Sequence, residues 1–532
     1  MKKRLLTTCL SVFFAASGLA LGSCGIFGPA AEPEVDTGLA FELVDGTYTL
    51  VGRGVCEDGI INVPSKYQGK AVTAIGDKAF ENDQYIGILN IPDSVTKIGA
   101  DAFSGCSNLS EVTMGNGVAE VGSKAFYTCG WLENITFSDS LESIGSSTFY
   151  GCRKLKAIDL PDSLKTISNN AFEMCNGLED VTFGTSLEII GENAFLDCTS
   201  INAIVIPDGA PTEIQVSAFE NCGNAQIVTL GNDVKSIGSN AFKGVYMMKQ
   251  LVIGDGVTSI GATAFQDCSR VYTVTIGASV ISIGTNAFYK CRAIREVYNR
   301  STLNIYVDPQ MEEELDQFGG IGKNAFYVRT GDEPSKLSVD ETQRLIYYID
   351  GARKVVVGCM LEDYTDVVLP DDVTEIATRA FYNVDFVRSI DTGSGCTIIG
   401  ASAFQNCYHL EKAIIGKSVQ TIGNGAFYRN KALVTVVFRT KLENGSVGEN
   451  AFWKYNRKAN GSLEKDSYEY KNLFFEGTRE EWTETKAKFA LTGKGNSNKD
   501  LLDKATIYYY SETAPTSSGN YWHFVDGVAT KW

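Results

Sequence analysis

The sequence predicts a β-rich solenoid, because one short motif recurs along the chain at a nearly fixed interval. An Ala-Phe or Thr-Phe pair places a phenylalanine every 23 residues, with one step of 24, and the pattern resumes after an interruption. The phenylalanines are Phe80, Phe103, Phe126, Phe149, Phe172, Phe195, Phe219, Phe242, Phe265 and Phe288, then Phe381, Phe404, Phe427 and, after 25 residues, Phe452. A repeat of this length buries its apolar edge only by stacking on its neighbours.

Each repeat has room for one short strand and a short return. In one copy, Leu132 leads to Ile135 and Phe137, which alternate as the buried side of a strand does. A turn comes next, and an Ile-Gly step such as Ile144-Gly145 leads to the next phenylalanine. We therefore expect one short parallel strand per repeat of about 23 residues, with an irregular or short helical return.

The whole pattern reads Val/Leu-x-x-Ile-Gly-x-x-Ala-Phe-x-x-Cys-x-x-Leu-x-x-Val/Ile-x-Ile/Phe and covers about residues 70–455. It resembles the BspA-like bacterial leucine-rich repeat family. The resemblance implies a leucine-rich repeat solenoid and an exported surface protein with an adhesive or unknown role. The asparagine ladder of other leucine-rich repeats is missing here, as is normal for this family.

The repeats fall into two stacked arrays. The first is predicted over residues 39–330 and the second over 337–455, because the pattern breaks after Tyr298 and only a partial copy appears at 321–326. Each array begins with a predicted β-hairpin cap, whose turns are Asp45-Gly46 and Asp350-Gly351. Residues 456–532 are predicted to form a C-terminal strand, a helix at about 479–490 and an aromatic cap.

The amino terminus predicts export. Residues 1–23 have a basic head and an uncharged apolar stretch, as a lipoprotein signal peptide has. Leu21-Gly22-Ser23-Cys24 resembles a bacterial lipobox, so Cys24 is the expected lipidation site; an ordinary signal peptide beside an unrelated cysteine is the alternative. Residues 24–38 are interpreted as a tether. The prediction is an exported lipoprotein anchored by lipid to a membrane at the bacterial cell surface.

Composition excludes several classes of function. The net charge of −17 argues against a nucleic-acid partner. The chain has only two histidines, His409 and His523, and no Cys-x-x-Cys pair, so we predict no metal, no cofactor and no catalytic residues. A glycan-active enzyme using carboxylates in 299–335 is a remote alternative. One cysteine row is interpreted as reduced, buried and apolar; its members are Cys106, Cys129, Cys152, Cys175, Cys198, Cys222, Cys268, Cys291 and Cys407.

The strand face that points away from the core, expected to be concave, is the candidate binding surface. Its predicted residues are Glu111, Thr113, Asn134, Thr136, Asp159, Asp180, Thr182, Ile227, Thr229, Glu296 and Tyr298. The alternative interpretation is that threonine and valine occur at these positions only because they favour β-strands. The aromatics at 521–524 and Trp532 look like one hairpin of a choline- or glucan-binding cell-wall repeat, but a packed cap is favoured.

The predicted function is a non-catalytic scaffold that binds an unknown protein or glycan, as in adhesion. A structural envelope protein that associates with copies of itself is the alternative.

Overall fold

The computed structural model describes residues 38–307, 318–331, 333–442, 445–454, 470–490, 498–525 and 528–532. The predicted signal peptide, Cys24 and nearly all of the tether lie outside these residues. Two buried cores divide the molecule: the first runs from Leu39 to Ala325 and the second from Leu345 to Leu502. The β-rich solenoid is confirmed, while the predicted limits of the arrays at 330, 337 and 455 stay predictions.

The first array contains two rows of parallel strands. The strands of the long-strand ladder are β3 (Ile60–Asn62), β6 (Ile88–Asn90), β8 (Glu111–Thr113), β10 (Asn134–Thr136), β12 (Ala157–Asp159), β14 (Asp180–Thr182), β16 (Ala203–Ile206), β18 (Ile227–Leu230), β20 (Gln250–Ile253), β22 (Thr273–Ile276), β24 (Glu296–Asn299) and β25 (Tyr327–Thr330). The Ile-Gly steps form a second row of two-residue strands that the sequence pattern did not indicate: β7 (Lys97–Ile98), β9 (Glu120–Val121), β11 (Ser143–Ile144), β13 (Thr166–Ile167), β15 (Ile189–Ile190), β17 (Glu213–Ile214), β19 (Ser236–Ile237), β21 (Ser259–Ile260) and β23 (Ser282–Ile283).

A hairpin covers the start of the first array, as predicted. Strands β1 (Ala40–Val44) and β2 (Thr47–Gly52) pair antiparallel across Asp45-Gly46. Strand β2 then runs parallel to β5 (Lys70–Ile75), which also pairs with β4 (Lys66–Tyr67). The cap thereby gives the first repeat a hydrogen-bonded neighbour and removes an exposed sheet edge.

Stacked phenylalanine rings form the centre of the first core. From Phe80 to Phe288, successive centroids lie 5.0–5.3 Å apart and successive ring planes deviate by at most 16°. The cysteine row lies beside this stack, buried and free of disulfides, as interpreted from the sequence. The thiol of each cysteine in the row donates a hydrogen bond to a phenylalanine carbonyl of the preceding repeat, as Cys106 does to Phe80 at 3.0 Å.

The ring stack ends at Phe288 because the next repeat has Gly319 at the alanine position and Gly320 at the phenylalanine position. The Phe288 N–H donates to the Gly319 carbonyl at 2.7 Å, as the Phe265 N–H donates to Ala287 at 2.8 Å. Residues 321–326 therefore do not add a ring to the stack. They form helix α1 (Ile321–Asn324), and Phe326 packs against Tyr348 of the second array, with centroids 5.3 Å apart.

The second array repeats the design after its predicted hairpin. Strands β26 (Leu337–Asp340), β27 (Leu345–Asp350) and β28 (Arg353–Cys359) form an antiparallel meander, and β28 pairs parallel with the short-strand row β30 (Glu375–Ile376), β32 (Ile398–Ile399), β34 (Thr421–Ile422) and β36 (Ser446–Val447). The long-strand ladder is β29 (Thr365–Val368), β31 (Val387–Asp391), β33 (Lys412–Ile415), β35 (Thr435–Phe438), β37 (Asn472–Phe475), β38 (Thr506–Tyr510), β39 (Tyr521–Val525) and β40 (Val528–Lys531). The rings from Phe381 to Phe452 stack at 4.7–5.1 Å.

Two helices lie beside the C-terminal strands. Helix α2 (Arg479–Lys486) begins with the predicted capping box, in which the Thr478 hydroxyl accepts from the Glu481 N–H and the Glu481 carboxylate accepts from the Thr478 N–H. It ends four residues before the predicted limit of 490. Helix α3 (Lys499–Lys504) was not predicted.

Candidate binding surface

The long-strand ladder lines up the predicted outward residues in two columns. Parallel pairing sets Glu111 beside Asn134 and Thr113 beside Thr136. Further along, Asp159 lies beside Thr182. Because successive side chains on a strand point to opposite faces, the residue between each pair enters the core. The outward columns of the first array form one surface, which we call the open face; its residues are Glu111, Thr113, Asn134, Thr136, Asp159, Asp180, Thr182, Val205, Ile227 and Thr229.

The open face carries free charges and free apolar surface. Within the described part of the chain, the carboxylates of Glu111, Asp159 and Asp180 are exposed and form no ion pair. Two apolar side chains come next along the ladder: Val205 is 47% exposed and Ile227 is 44% exposed. Exposed apolar side chains beside unpaired charges are a combination that a folded partner can cover.

Glu296 differs from the prediction, because its side chain is buried rather than presented to solvent. Its carboxylate accepts hydrogen bonds from Tyr327 Oη at 2.7 Å, Arg329 Nε at 2.5 Å and Ser335 Oγ at 2.8 Å. The physical reason is that β25 adds a strand beside β24 and brings Tyr327 and Arg329 over it, and the chain that follows β25 brings Ser335. Tyr298 is half-buried, with the Arg329 guanidinium carbon 3.4 Å from its ring centroid. Both residues close the end of the ladder.

The same columns in the second array are covered at their C-terminal end, although Val368, at their start, is 57% exposed. Val437 and Phe474 point away from the core that holds Val436, yet they are only 1% and 5% exposed. Trp522 covers them: its ring meets Phe474 edge-on, with centroids 5.6 Å apart, and its indole N–H donates to the Phe475 carbonyl at 2.9 Å. The C-terminal aromatics thus pack as a cap, the interpretation favoured from the sequence.

Two exposed aromatics were missed in the sequence. Trp131 is 59% exposed and Tyr85 more so, and each lies three residues before a ladder strand, at the same edge of the ladder. The Lys154 ammonium lies 5.3 Å from the Trp131 ring centroid. The available signal was an aromatic at the fifth residue after the repeat phenylalanine, where other copies have Asn108, Lys154 or Ser200.

Metal-ligating side chains and the two histidines are dispersed among the described residues. These residues contain no group of three or more His, Cys, Asp or Glu side chains arranged to hold a metal ion. His409 is exposed, with Nε2 3.3 Å from Tyr364 Oη, and His523 stacks on Trp532 with centroids 3.7 Å apart. Neither histidine lies beside a serine or cysteine in these contacts.

The repeat geometry agrees with the family comparison. A family model described as the BspA type leucine rich repeat region, in six copies, matches residues 73–202, 188–306 and 359–479. The chain belongs to this BspA-type leucine-rich repeat family. No curated protein matches the chain.

Solved structures of other bacterial proteins are similar to this BspA-type chain. A leucine-rich repeat protein from Bacteroides ovatus is 20% identical, with 90% of this chain and 100% of that chain covered and a TM-score of 0.43. A leucine rich cell surface protein from Faecalibacterium prausnitzii is 18% identical, covering 88% and 100%, with a TM-score of 0.30. The pneumococcal vaccine antigen PcpA is 13% identical, covering 86% and 96%, with a TM-score of 0.27.

No helix among the described residues has the length and apolar character needed to cross a bilayer.

Proposed function

We propose that this protein is a cell-surface scaffold that binds a protein or glycan partner on the open face of its first array. The proposal includes a lipid anchor at Cys24, which would hold the protein at a membrane while residues 24–38 act as a tether. Membership of the BspA-type family supports the scaffold role. No catalytic step is part of the proposal.

One observation carries the proposal: outward apolar residues are covered where the second array ends but are left exposed in the middle of the first array. Val437 and Phe474 are sealed by Trp522, whereas Val205 and Ile227 have no such cover. Long exposed strands and apolar patches promote aggregation, so proteins usually cover them. An apolar patch left open on a rigid ladder and flanked by unpaired carboxylates fits a surface that a partner covers.

The test is equilibrium binding of the soluble chain, residues 25–532, which omits the signal peptide and Cys24, to host matrix proteins, cell-wall glycans and the protein itself. Saturable binding to a foreign partner is expected. The double change Asp159→Lys and Asp180→Lys, and separately Ile227→Asp, should weaken it by about tenfold or more, because each removes complementarity at the face.

Glu188→Lys is the matched control, since Glu188 is an exposed carboxylate before β15, away from the open face. Equal loss in the control would mean that net charge, not this face, controls binding. Binding only to the protein itself would favour the structural, self-associating role. For the anchor, Cys24→Ala should release the protein into the medium or block its processing, and unchanged membrane retention contradicts lipidation.

A further inference from the structure

A cleft of about 450 Å³ lies where the last repeats of the first array meet the start of the second. Five cationic side chains line it, against the two carboxylates of Glu362 and Asp385. The cations are Lys249, Arg270, Arg292, Arg295 and Arg379. Such an excess of positive charge is unexpected in a chain whose net charge is −17.

Arg295 is the central group of this cleft. Its side chain is buried and forms no ion pair with a described residue. Nη1 donates to the carbonyls of Arg292 and Ile294, each at 3.1 Å, and Nη2 donates to the Arg379 carbonyl at 3.3 Å. Nε has no hydrogen-bond partner among the described residues. Burial lowers the pKa of this guanidinium to about 10.

A buried charge without a counter-ion is costly, so its presence requires an explanation. The backbone carbonyls satisfy three donor contacts but supply no negative charge. Gly358 makes room for the group, because a Cβ there would lie 3.1 Å from Arg295 Nε. The site is therefore shaped around a guanidinium that still lacks an anion.

The rest of the cleft fits a small anionic ligand. Arg270 lies on the exposed rim, and Arg292 donates to Tyr382 Oη at 3.3 Å. Arg270 and Arg295 both counteract, through their charge, the burial that raises the pKa of the Cys359 thiol to about 11. Leu361, Val384 and Phe386 supply an apolar wall on the other side. Convergent arginines recognise carboxylate and phosphate oxygens, and an apolar wall suits the body of a small molecule.

We propose that the cleft between the arrays is a binding site for a small ligand that carries an oxyanion, with Arg295, Arg292 and Arg270 as its recognition residues. The site uses none of the open-face residues, so it is separate from the proposed partner-binding surface. Its ligand would supply the negative charge that Arg295 lacks and would contact both arrays at once.

The test titrates the same soluble chain, residues 25–532, by calorimetry with inorganic phosphate, D-glucuronate and neutral glucose. We expect saturable binding of an anion, weakened by added salt, and none of glucose. Binding of phosphate alone would identify a tetrahedral oxyanion, whereas binding of glucuronate would identify a carboxylate on a ring. Arg270→Gln and Arg292→Gln should each weaken binding by about tenfold.

Arg153→Gln is the matched control, because Arg153 is an exposed arginine of the first array outside the cleft. Arg295→Met should abolish binding, but it removes contacts that join the arrays and the variant could fail to fold. The two rim variants therefore decide the question. The proposal would be overturned if neither phosphate nor glucuronate bound. It would also be overturned if Arg270→Gln and Arg292→Gln left the affinity for the anion unchanged.

Discussion

The first and second arrays share one repeat but present their outward faces differently. In the first array the outward columns stay accessible from Glu111 to Thr229. In the second, Trp522 and Phe524 close over Val437 and Phe474 in a small core of their own at the end of the ladder, while Val368 at its start is 57% exposed. The repeat itself therefore does not dictate exposure. The segment beyond the last repeat decides whether the ladder is covered, because the first array leads into a second array and the second leads into a hairpin that folds back.

The arrays also differ in the slot three residues after each phenylalanine. Eight first-array repeats have cysteine there, one has Val245 and the first has Asp83, whereas the second array has Val384, Cys407 and Asn430. The Asn430 side chain is fully buried; its Oδ1 accepts from the Cys407 N–H at 2.9 Å and its Nδ2 has no partner among the described residues. The two cores thus share the stacked geometry but differ in the number of buried thiols and buried polar groups that they contain.

Alkaline pH should give the largest difference in stability between the two arrays. Burial raises the thiol pKa of six first-array cysteines above the ordinary value of 9.0, and of three in the second array. For Cys106 and Cys396 the pKa rises to about 12. A buried thiol keeps its proton while the unfolded chain loses it, so stability is full below pH 9 and falls as pH rises from there towards 12.

At pH 10 each such thiol should cost about 1 kcal/mol of folding free energy, or roughly 6 kcal/mol in the first array and 3 in the second. Urea unfolding with a short iodoacetamide pulse, mapped by mass spectrometry, reports each array through its own thiols. The control replaces Cys129 and Cys152 with valine, as Val245 occurs naturally, and should remove about a third of the first-array loss. Equal losses in both arrays would contradict the comparison.

Removing the cover should affect stability far more than trimming the open face. Trp522→Ala deletes a wholly buried side chain and its hydrogen bond to Phe475, so we expect a loss of about 3–5 kcal/mol from the C-terminal strands. Ile227→Ala on the open face should change stability by less than about 0.5 kcal/mol. Hydrogen exchange of peptides containing Val437 and Phe474 measures the first effect, and the urea midpoint measures the second. A large loss from Ile227→Ala would mean that the open face is a structural surface.

Much of this fold follows from periodicity alone. The 23-residue spacing of phenylalanine predicts the solenoid because only stacked copies bury those rings, and the Asp-Gly turns predict both hairpin caps. The second row of strands was not predicted, because two residues such as Ser143-Ile144 are too few to show an alternating pattern.

The site was harder to predict, because exposure depends on segments outside the repeat. Asp159 and Asp180 lie on the outward face as alternation requires. Glu296 has the place of Asp180 in its repeat but is buried, since β25 arrives from beyond an interruption whose course no local pattern reveals. The junction cleft shows the same limit. Arg295 and Gly358 are far apart in sequence, and only the packing of one array against the other brings them together.

Exchanging the slot residues between the arrays should produce the smallest and most diagnostic effect. Asn430→Cys removes a buried amide N–H that lacks a partner, and its thiol could donate to the Phe404 carbonyl as Cys407 donates to Phe381 at 3.0 Å. The Cys407 N–H could then bond the Phe404 carbonyl, as the Cys106 N–H bonds Phe103 at 3.1 Å. We expect a gain of about 1 kcal/mol in the urea stability of the second array.

The reciprocal change, Cys198→Asn, places an amide in a slot lined by apolar groups and should cost the first array about 1–3 kcal/mol. Cys198→Val is the matched control and should be nearly neutral, because the thiol is a second donor to the Phe172 carbonyl, which the Cys175 N–H already bonds. If Asn430→Cys instead destabilises the second array, the amide contributes a net favourable bond to Cys407. The slot would then be tuned separately in each array, whereas the repeat imposes the phenylalanine stack on both.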